Sequence, residues 1–219
     1  ALETLFLNPS ANSGRENVIN SVIAIIQKTY LLKITRLIYA QICETLLSED
    51  LEKLDITTYK SFLLFFASHE AGSEEMKALY SCLGNNILLR SRVYNLRKSL
   101  KSGEKISEFL SKHETRINWQ LKRLYRIRNI ATHLGCEASG LSIAVNHLHS
   151  YFDYMVNYML CKSENGDIII DMSTLVLETK NDNKIHHEQL KSKEPLSAAN
   201  YMKYLFGPDS HLIDYKFEY

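Results

Sequence analysis

The chain has 219 residues, of which 45% are hydrophobic and 23% are charged, and this composition excludes a disordered chain and favours a buried core. The formal net charge of +1 excludes binding to nucleic acid through global charge, so any basic site must be local. Four widely spaced cysteines without a C-x-x-C pair argue against a zinc site. We therefore expect reduced thiols, a cytoplasmic location and no metal or cofactor.

The first part of the chain predicts helices, because no proline occurs between positions 10 and 194 and glycines are few. Residues 1–7 resemble the end of a helix. A long helix is predicted over 15–48, and the lysines and arginines within its apolar run argue against a membrane span. A shorter, very apolar helix is predicted over 56–68. Ser73, which two glutamates follow, has the pattern of a helix start.

Glycines punctuate the middle of the chain. Gly84 is expected to separate two helices, and Gly103 is expected to end the second of them. The next helix is predicted over 105–134 and stops before Gly135, at a position where glycine commonly ends a helix. The helix between Gly84 and Gly103 carries an apolar stripe at helical spacing, formed by Leu89, Val93, Leu96 and Leu100.

The helix predicted over 141–159 is apolar on two sides, and such helices are usually buried on more than one side. It is therefore either a central core helix or a helix that contributes to a subunit interface. Residues 167–191 are predicted as a helix, although their start would also suit a strand, and a short helix capped by Ser197 is predicted over 197–206. The fold class is thus all-α. The two apolar stripes consist of Leu141, Val145, Leu148, Phe152, Met155 and Met159, and of His147, Tyr151, Tyr154 and Tyr158.

Basic residues without any acidic neighbour concentrate in two segments, 90–101 and 116–133. Five cations on each of two helices could bind a phosphate backbone. Alternatively, each segment is a solvated helix face whose acidic partners come from elsewhere in the chain. If the segments bind nucleic acid, the contacting residues are expected to be Arg90, Arg97, Lys101, Arg123 and Arg126.

The second basic segment contains the motif R-N-x-x-x-H, from Arg128 and Asn129 to His133, near the end of the predicted helix. With Tyr125 before it and an apolar residue and Gly135 after it, this sequence resembles the signature of the HEPN family. The opening Ala-Leu-Glu followed by long helices is similar to the Apea-like branch of that family, which occurs in bacterial defence proteins.

The resemblance covers residues 1–162 and implies an up-and-down helical bundle of HEPN type. The remaining residues, 163–219, are then extra helices at the C-terminus that pack on the bundle. Because the chain begins with Ala1 and not with methionine, we expect it to be the C-terminal part of a longer protein, with a further domain before it.

The resemblance further implies metal-independent cleavage of RNA that leaves a 2′,3′-cyclic phosphate. His133 would transfer the proton of the ribose 2′-OH, since histidine titrates near neutral pH. Arg128 would hold the scissile phosphate and stabilise the charge that develops on it. Asn129 would orient the substrate or the histidine, and Glu3 and Tyr125 would support the site.

Helical geometry separates the two principal residues of the motif. On an ideal helix Arg128 lies about 140° from His133. Either the helix is distorted before Gly135, or Arg128 of one copy acts with His133 of a second copy. In the family that the motif resembles, two domains usually pair and join two motifs in one cleft. Since this chain carries one motif, a complete site predicts a homodimer.

Two alternatives to an enzyme remain. The chain could be a non-catalytic HEPN-like module for dimerisation or for sensing a ligand or partner, or an unrelated helical domain. In either case Arg128 and His133 would fix a helix end through carboxylates and carbonyl groups. An enzyme is expected to expose both residues, whereas a binding module is expected to bury them in ion pairs.

Overall fold

All regular structure that we describe is helical. The computed structural model describes residues 15–70, 72–134, 140–164, 171–192 and 197–214, and no residue of these ranges lies in a strand. The predicted all-α class is therefore confirmed. The helices are α1 (Arg15–Thr45), α2 (Ser48–Lys53), α3 (Tyr59–Ser68), α4 (Glu74–Cys82), α5 (Ile87–Ser99), α6 (Gly103–Leu134), α7 (Leu141–Glu164), α8 (Met172–Lys191) and α9 (Tyr201–Phe206), followed by the 3₁₀ helix η1 (Gly207–Asp214).

Local capping explains where the shorter helices begin. α3 starts three residues later than predicted because Thr58 and Ser61 form a capping box, in which each side chain accepts a hydrogen bond from the backbone N–H of the other residue. α4 begins after Ser73 as predicted, and the Ser73 hydroxyl accepts the N–H of Met76 at 3.3 Å. The short helix α2 was not predicted from the apolar pattern, and none of its residues is buried.

Gly103 begins α6, so the prediction that it ends α5 is wrong: α5 already ends at Ser99. Gly103 is buried, and a Cβ atom at this position would overlap the backbone carbonyl group of Leu190 in α8. Glycine therefore allows the backbones of two helices to approach more closely than any side chain would permit.

The C-terminal helices confirm one prediction and correct another. The segment around 172–191 is a helix and not a strand, and the Asp171 carboxylate before it accepts the N–H of Thr174 at 2.8 Å. The predicted cap at Ser197 is wrong, because α9 begins only at Tyr201. The Ser197 N–H instead donates to the side-chain oxygen of Asn200 at 2.8 Å, which forms a turn before the helix.

Spatial contacts group the chain into two compact units. The first unit comprises Ala1–Thr29, Ser111–Asn183 and Tyr215–Tyr219, and the second comprises Tyr30–Leu110 and Lys184–Asp214. Each unit combines stretches that are distant in sequence. The division at residue 162, which follows the family resemblance, stays a prediction.

The core of the first unit contains the start of α1, whose Ile19 and Ile25 are fully buried, and the inner side of α7, where Tyr158 is fully buried. A buried ion pair adds to this packing. Lys28 Nζ lies 3.7 Å from an Asp182 carboxylate oxygen, and the Lys28 side chain is only 2% exposed. A buried cation of this kind needs its partner, since an unpaired charge is costly away from water.

The core of the second unit is rich in aromatic residues. Phe62, Phe65 and Phe66 of α3 are buried, and the Phe66 ring packs edge to face with the rings of both Phe62 and Phe65. Tyr201 of α9 is also fully buried. The predicted stripe on α5 is confirmed as a core face, because all four of its members are buried: Leu89, Val93, Leu96 and Leu100.

Among the described residues one helix, α1, is long and apolar enough to cross a membrane, but 72% of its most apolar window is buried within the protein. A buried core helix gives the same pattern of length and composition. The prediction that this helix is no membrane span therefore stays a prediction, as does the cytoplasmic location.

Candidate functional site

The motif residues lie on the last two turns of α6. Arg128, Asn129 and His133 are all exposed. The backbone is α-helical through Leu134, so the structure contains no distortion between Arg128 and the end of the helix. Of the two explanations for the angular separation of Arg128 and His133, a distorted helix is therefore not what the structure has.

Packing of α6 against the start of α7 determines which side of the motif faces solvent. Ile127 is 7% exposed and clusters with Ala144 of α7, and Leu124 and Ile130 pack against this pair. At 100° per residue, Arg128 and His133 lie roughly 100° and 120° away from Ile127, on opposite sides of it. The two residues therefore flank the buried stripe.

A side-chain hydrogen bond reduces the angular separation between the Arg128 guanidinium and His133. Arg128 Nη1 donates to Asn129 Oδ1 at 3.2 Å. Asn129 lies one turn before His133, at the i,i+4 spacing that places two side chains on the same helix face. The guanidinium is thus held toward the face that carries His133. Asn129 contacts Arg128 here, and its expected role of orienting the substrate or the histidine stays a prediction.

The remaining cations near the motif differ in their surroundings. Lys122 lies 3.4 Å from the Glu16 carboxylate of α1, so one cation of this segment does have an acidic partner from elsewhere in the chain. Arg123 and Arg126 are exposed, and within the described part of the chain no carboxylate lies within 4.0 Å of either. A Cβ atom on Gly140 would lie 3.1 Å from Arg123 Nη2, so this guanidinium rests against the backbone before α7.

Trp119 is a candidate that the sequence analysis missed. It is the single tryptophan of the chain, and its side chain on α6 is 75% exposed. It begins an exposed stripe at alternating spacings of three and four, which extends for about 21 Å along the helix. The signal was present in the sequence as an aromatic residue in helical register with the motif. The stripe consists of Trp119, Lys122, Arg126, Asn129 and His133.

The other predicted contact residues belong to the second unit. Arg90 donates to the Gly84 carbonyl at 3.2 Å, and Arg97 donates to the His69 carbonyl at 2.6 Å. Lys101, just after α5, is exposed. The five cations predicted to bind nucleic acid are therefore divided between the two units.

The two predicted supporting residues are less informative. Tyr125 is half-buried on α6, one turn before the motif, and its side chain makes contacts within the fold. Glu3 lies outside the described residues.

α7 is apolar on two sides, but the chain buries only one of them. Its inner side, with Tyr151, Met155 and Tyr158, is buried, and the Tyr151 hydroxyl donates to the side-chain oxygen of Gln120. The adjoining side is exposed, so the interpretation as a central core helix is wrong for this side. Of the first predicted stripe, Leu141, Val145 and Phe152 are exposed, whereas Met155 is buried. The exposed residues are Leu141, Val145, Phe152, Val156 and Leu160, and their exposed fractions range from 36% to 53%.

Within the described ranges, no three His, Cys, Asp or Glu side chains lie close enough together to hold a metal ion. Comparison with protein-family models, with curated proteins and with solved structures found no match for this chain. The functional argument therefore depends on the site itself.

Proposed function

We propose that this chain is a metal-independent endoribonuclease domain of HEPN type, from a bacterial defence protein, and that it acts as a homodimer. The observation that supports this most directly is the exposure of Arg128, Asn129 and His133 together with the hydrogen bond from Arg128 to Asn129. An enzyme of this kind needs its proton-transfer group and its phosphate-binding group accessible to RNA. The two alternatives expect both groups to be buried in ion pairs.

The chemistry requires only groups that this face offers. The imidazole of His133 removes the proton of a ribose 2′-OH, and the 2′-oxygen attacks the adjacent phosphorus. The bond from phosphorus to the 5′-oxygen breaks, and the 5′-oxygen leaves with a proton from an imidazolium or from water. The products are a 2′,3′-cyclic phosphate and a 5′-hydroxyl. Arg128 binds two phosphate oxygens through its planar fork and stabilises the additional negative charge of the transition state.

A second copy of the chain would complete the site. The part of α6 that carries the motif and the whole of α7 belong to the first unit, and the exposed apolar stripe of α7 follows the motif closely in sequence. Large exposed apolar surfaces usually mark an interaction site. In a two-fold dimer the α7 stripes of both copies form the interface, and the two motifs then face each other. This arrangement would bring Arg128 of one copy toward His133 of the other.

The exposed stripe that begins at Trp119 supports a path for single-stranded RNA toward the motif. An exposed aromatic ring provides a stacking platform for any base, and cations at helical spacing follow the phosphates. On this path Trp119 stacks on a base and Arg126 contacts a phosphate, about two turns of helix before His133. Arg123 lies beside the stripe and is available for a second phosphate.

The decisive experiment is cleavage of total RNA by the pure chain in EDTA, with His133→Ala as the test variant. We expect the parent to cleave RNA, to leave DNA intact because DNA lacks the 2′-OH, and to lose about 10²- to 10⁴-fold in rate on substitution of the general base. His187→Ala is a matched control, because His187 is also exposed on a helix but lies in the second unit. Parental activity in His133→Ala, or a requirement for magnesium, would overturn the mechanism.

The non-catalytic module is the second candidate, and the exposed stripe of α7 favours it as much as it favours the enzyme, because both need a partner. The module and the enzyme differ in whether RNA is cleaved and in whether cleavage depends on the dimer. A module would dimerise through α7 without cleaving RNA under any activating condition, whereas the enzyme would lose cleavage when the dimer is broken.

A further inference from the structure

A hollow of about 750 Å³ lies in the second unit, between the end of α3 and the C-terminal half of α5. Its volume is in the range of sites that bind small molecules. Aromatic side chains form part of its wall, since Tyr80, Tyr94 and Tyr201 line it. Every residue that lines the hollow belongs to the second unit, so it is separate from the motif on α6.

The charge of the hollow is positive. Three of its lining residues are cations, and Glu70 is the one carboxylate among them. Lys98 and Lys101 are exposed and have no ion pair within the described residues. All three cations line the same hollow, so their charges add at one place. The three cations are Arg97, Lys98 and Lys101.

Two buried polar atoms of the hollow have no hydrogen-bond partner in the structure. They are Nε of Arg97 and the hydroxyl oxygen of Tyr80. The Arg97 guanidinium is held in place by its bond of 2.6 Å from Nη2 to the His69 carbonyl, which leaves the orientation of Nε–H fixed. Buried polar groups without partners are uncommon and call for an explanation such as a ligand.

The Tyr94 ring provides a flat apolar surface beside these donors. It is 56% exposed although it lines the hollow. Aromatic rings that are accessible next to cations stack on planar heterocycles, and this combination recurs where proteins bind nucleotides.

We propose that this hollow binds a mononucleotide-sized ligand, with its phosphate on the three cations and its base stacked on Tyr94. This site does not depend on the ribonuclease proposal, because it uses none of the motif residues. In this proposal Arg97 and Lys101 bind a small ligand, although they were expected from the sequence to contact RNA. The phosphate of a free mononucleotide and the terminal phosphate of an RNA share the same chemistry, so the experiment needs to separate the two sources.

Isothermal titration calorimetry on the full chain provides that separation. The probes are the four ribonucleoside monophosphates, adenosine, ribose 5-phosphate and a short oligoribonucleotide. We expect at least one monophosphate to bind with one site per chain, and adenosine and ribose 5-phosphate to bind more weakly, because each lacks one half of the recognised chemistry. The oligoribonucleotide is expected to bind with unchanged affinity when the hollow is altered.

Three variants test the assignment of roles. Lys98→Glu combined with Lys101→Glu is expected to weaken monophosphate binding at least about tenfold through like-charge repulsion. Tyr94→Ala is expected to weaken it about fivefold or more through loss of stacking, and to leave ribose 5-phosphate binding unchanged. Lys60→Glu reverses an exposed cation of the same unit that does not line the hollow, and it is expected to change nothing.

The proposal is overturned if no monophosphate binds at about 1 mM, or if the double reversal leaves binding unchanged. It is also overturned if only the oligoribonucleotide binds and the double reversal weakens it. The hollow would then be part of an RNA path. None of these results affects cleavage by His133, so the two proposals fail separately.

Discussion

The two basic segments carry the same number of cations and lie in different surroundings. On α5, Arg90 and Arg97 donate to backbone carbonyl groups, and the later cations line a concave hollow. On α6, Arg126 lies on the exposed surface of a long helix in register with His133, and Arg123 is exposed beside that stripe. A segment without acidic residues shows where positive charge is concentrated along the sequence. Only packing decides whether that charge faces a small cavity or a surface long enough for a polymer.

After His133, the largest effect is expected at Arg128, the cation whose proposed catalytic role distinguishes the α6 segment from the α5 segment. Arg128→Ala should slow single-turnover cleavage of labelled RNA about 10²- to 10³-fold, through loss of charge stabilisation in the transition state. Arg128→Lys should restore only part of the rate, because an ammonium lacks the planar fork. Arg15→Ala, which removes an exposed guanidinium elsewhere in the first unit, is the control. Full activity in Arg128→Ala would contradict the catalytic role that distinguishes the α6 segment from the α5 segment.

Disruption of the α7 stripe should be the next largest effect. Phe152→Asp places a charge at the centre of the exposed apolar stripe, where dimerisation would bury it. We expect a shift from dimer to monomer in light scattering at tens of micromolar, roughly where weak dimers form, and a parallel loss of cleavage. Leu177→Asp is the matched control, since Leu177 is 68% exposed on α8. A parent chain that is strictly monomeric at this concentration would contradict the proposed site.

Charge reversals compare the two segments directly as RNA-binding surfaces. The pair Arg123→Glu and Arg126→Glu should weaken RNA binding and lower the slope of its salt dependence by roughly 1.4, since each phosphate contact of a single strand contributes about 0.7. The pair Arg90→Glu and Lys101→Glu should leave RNA binding nearly unchanged, because these residues lie outside the proposed RNA path on α6. Fluorescence anisotropy at several salt concentrations measures both. The opposite order would assign the RNA path to α5.

The smallest expected effect is on stability, and it comes from a histidine on α6, just before the basic segment. Burial lowers the pKa of His113 to about 3, and the nearby Arg116 acts in the same direction. The unfolded chain then binds more protons than the folded chain below the ordinary histidine pKa of about 6.5. The free energy of unfolding should therefore fall as the pH drops from about 6.5 toward 3, by at most about 1.4 kcal/mol per pH unit.

Urea denaturation between about pH 7 and pH 5 tests this prediction. His113→Gln should flatten the pH dependence, and His187→Gln, at an exposed position, should leave it as in the parent. Equal slopes for the parent chain and His113→Gln would show that another group carries the acid sensitivity.

Periodicity predicted the fold well where one helix face is buried. The stripe of α5 is an example, because Leu89, Val93 and Leu96 recur at helical spacing and are all buried in the structure. On α7 two stripes have the same spacing, and periodicity did not identify the buried side, which combines Met155 of the first stripe with Tyr151 and Tyr158 of the second. The short helix α2 was missed for a related reason, since it buries none of its residues and so leaves no apolar pattern.

The candidate motif was readable from sequence because its residues are close together in the chain. The placement of the Arg128 guanidinium on Asn129 was not, since it depends on a rotamer. The hollow could not be predicted at all. It brings together Tyr80, Arg97 and Tyr201, and the last of these is separated from the others by about a hundred residues of chain.

Two glycines of the second unit should respond to natural variation in opposite ways. At Gly103 every possible side chain meets the backbone of Leu190, and a backbone cannot rotate out of the way as a side chain can. At Gly72 nothing lies within 4 Å of the position that a Cβ atom would take. In a library of random single substitutions selected for soluble protein, we expect position 103 to recover glycine alone and position 72 to recover almost any residue. A glycine at position 103 would then be expected in other chains with this fold, even where the rest of the sequence differs.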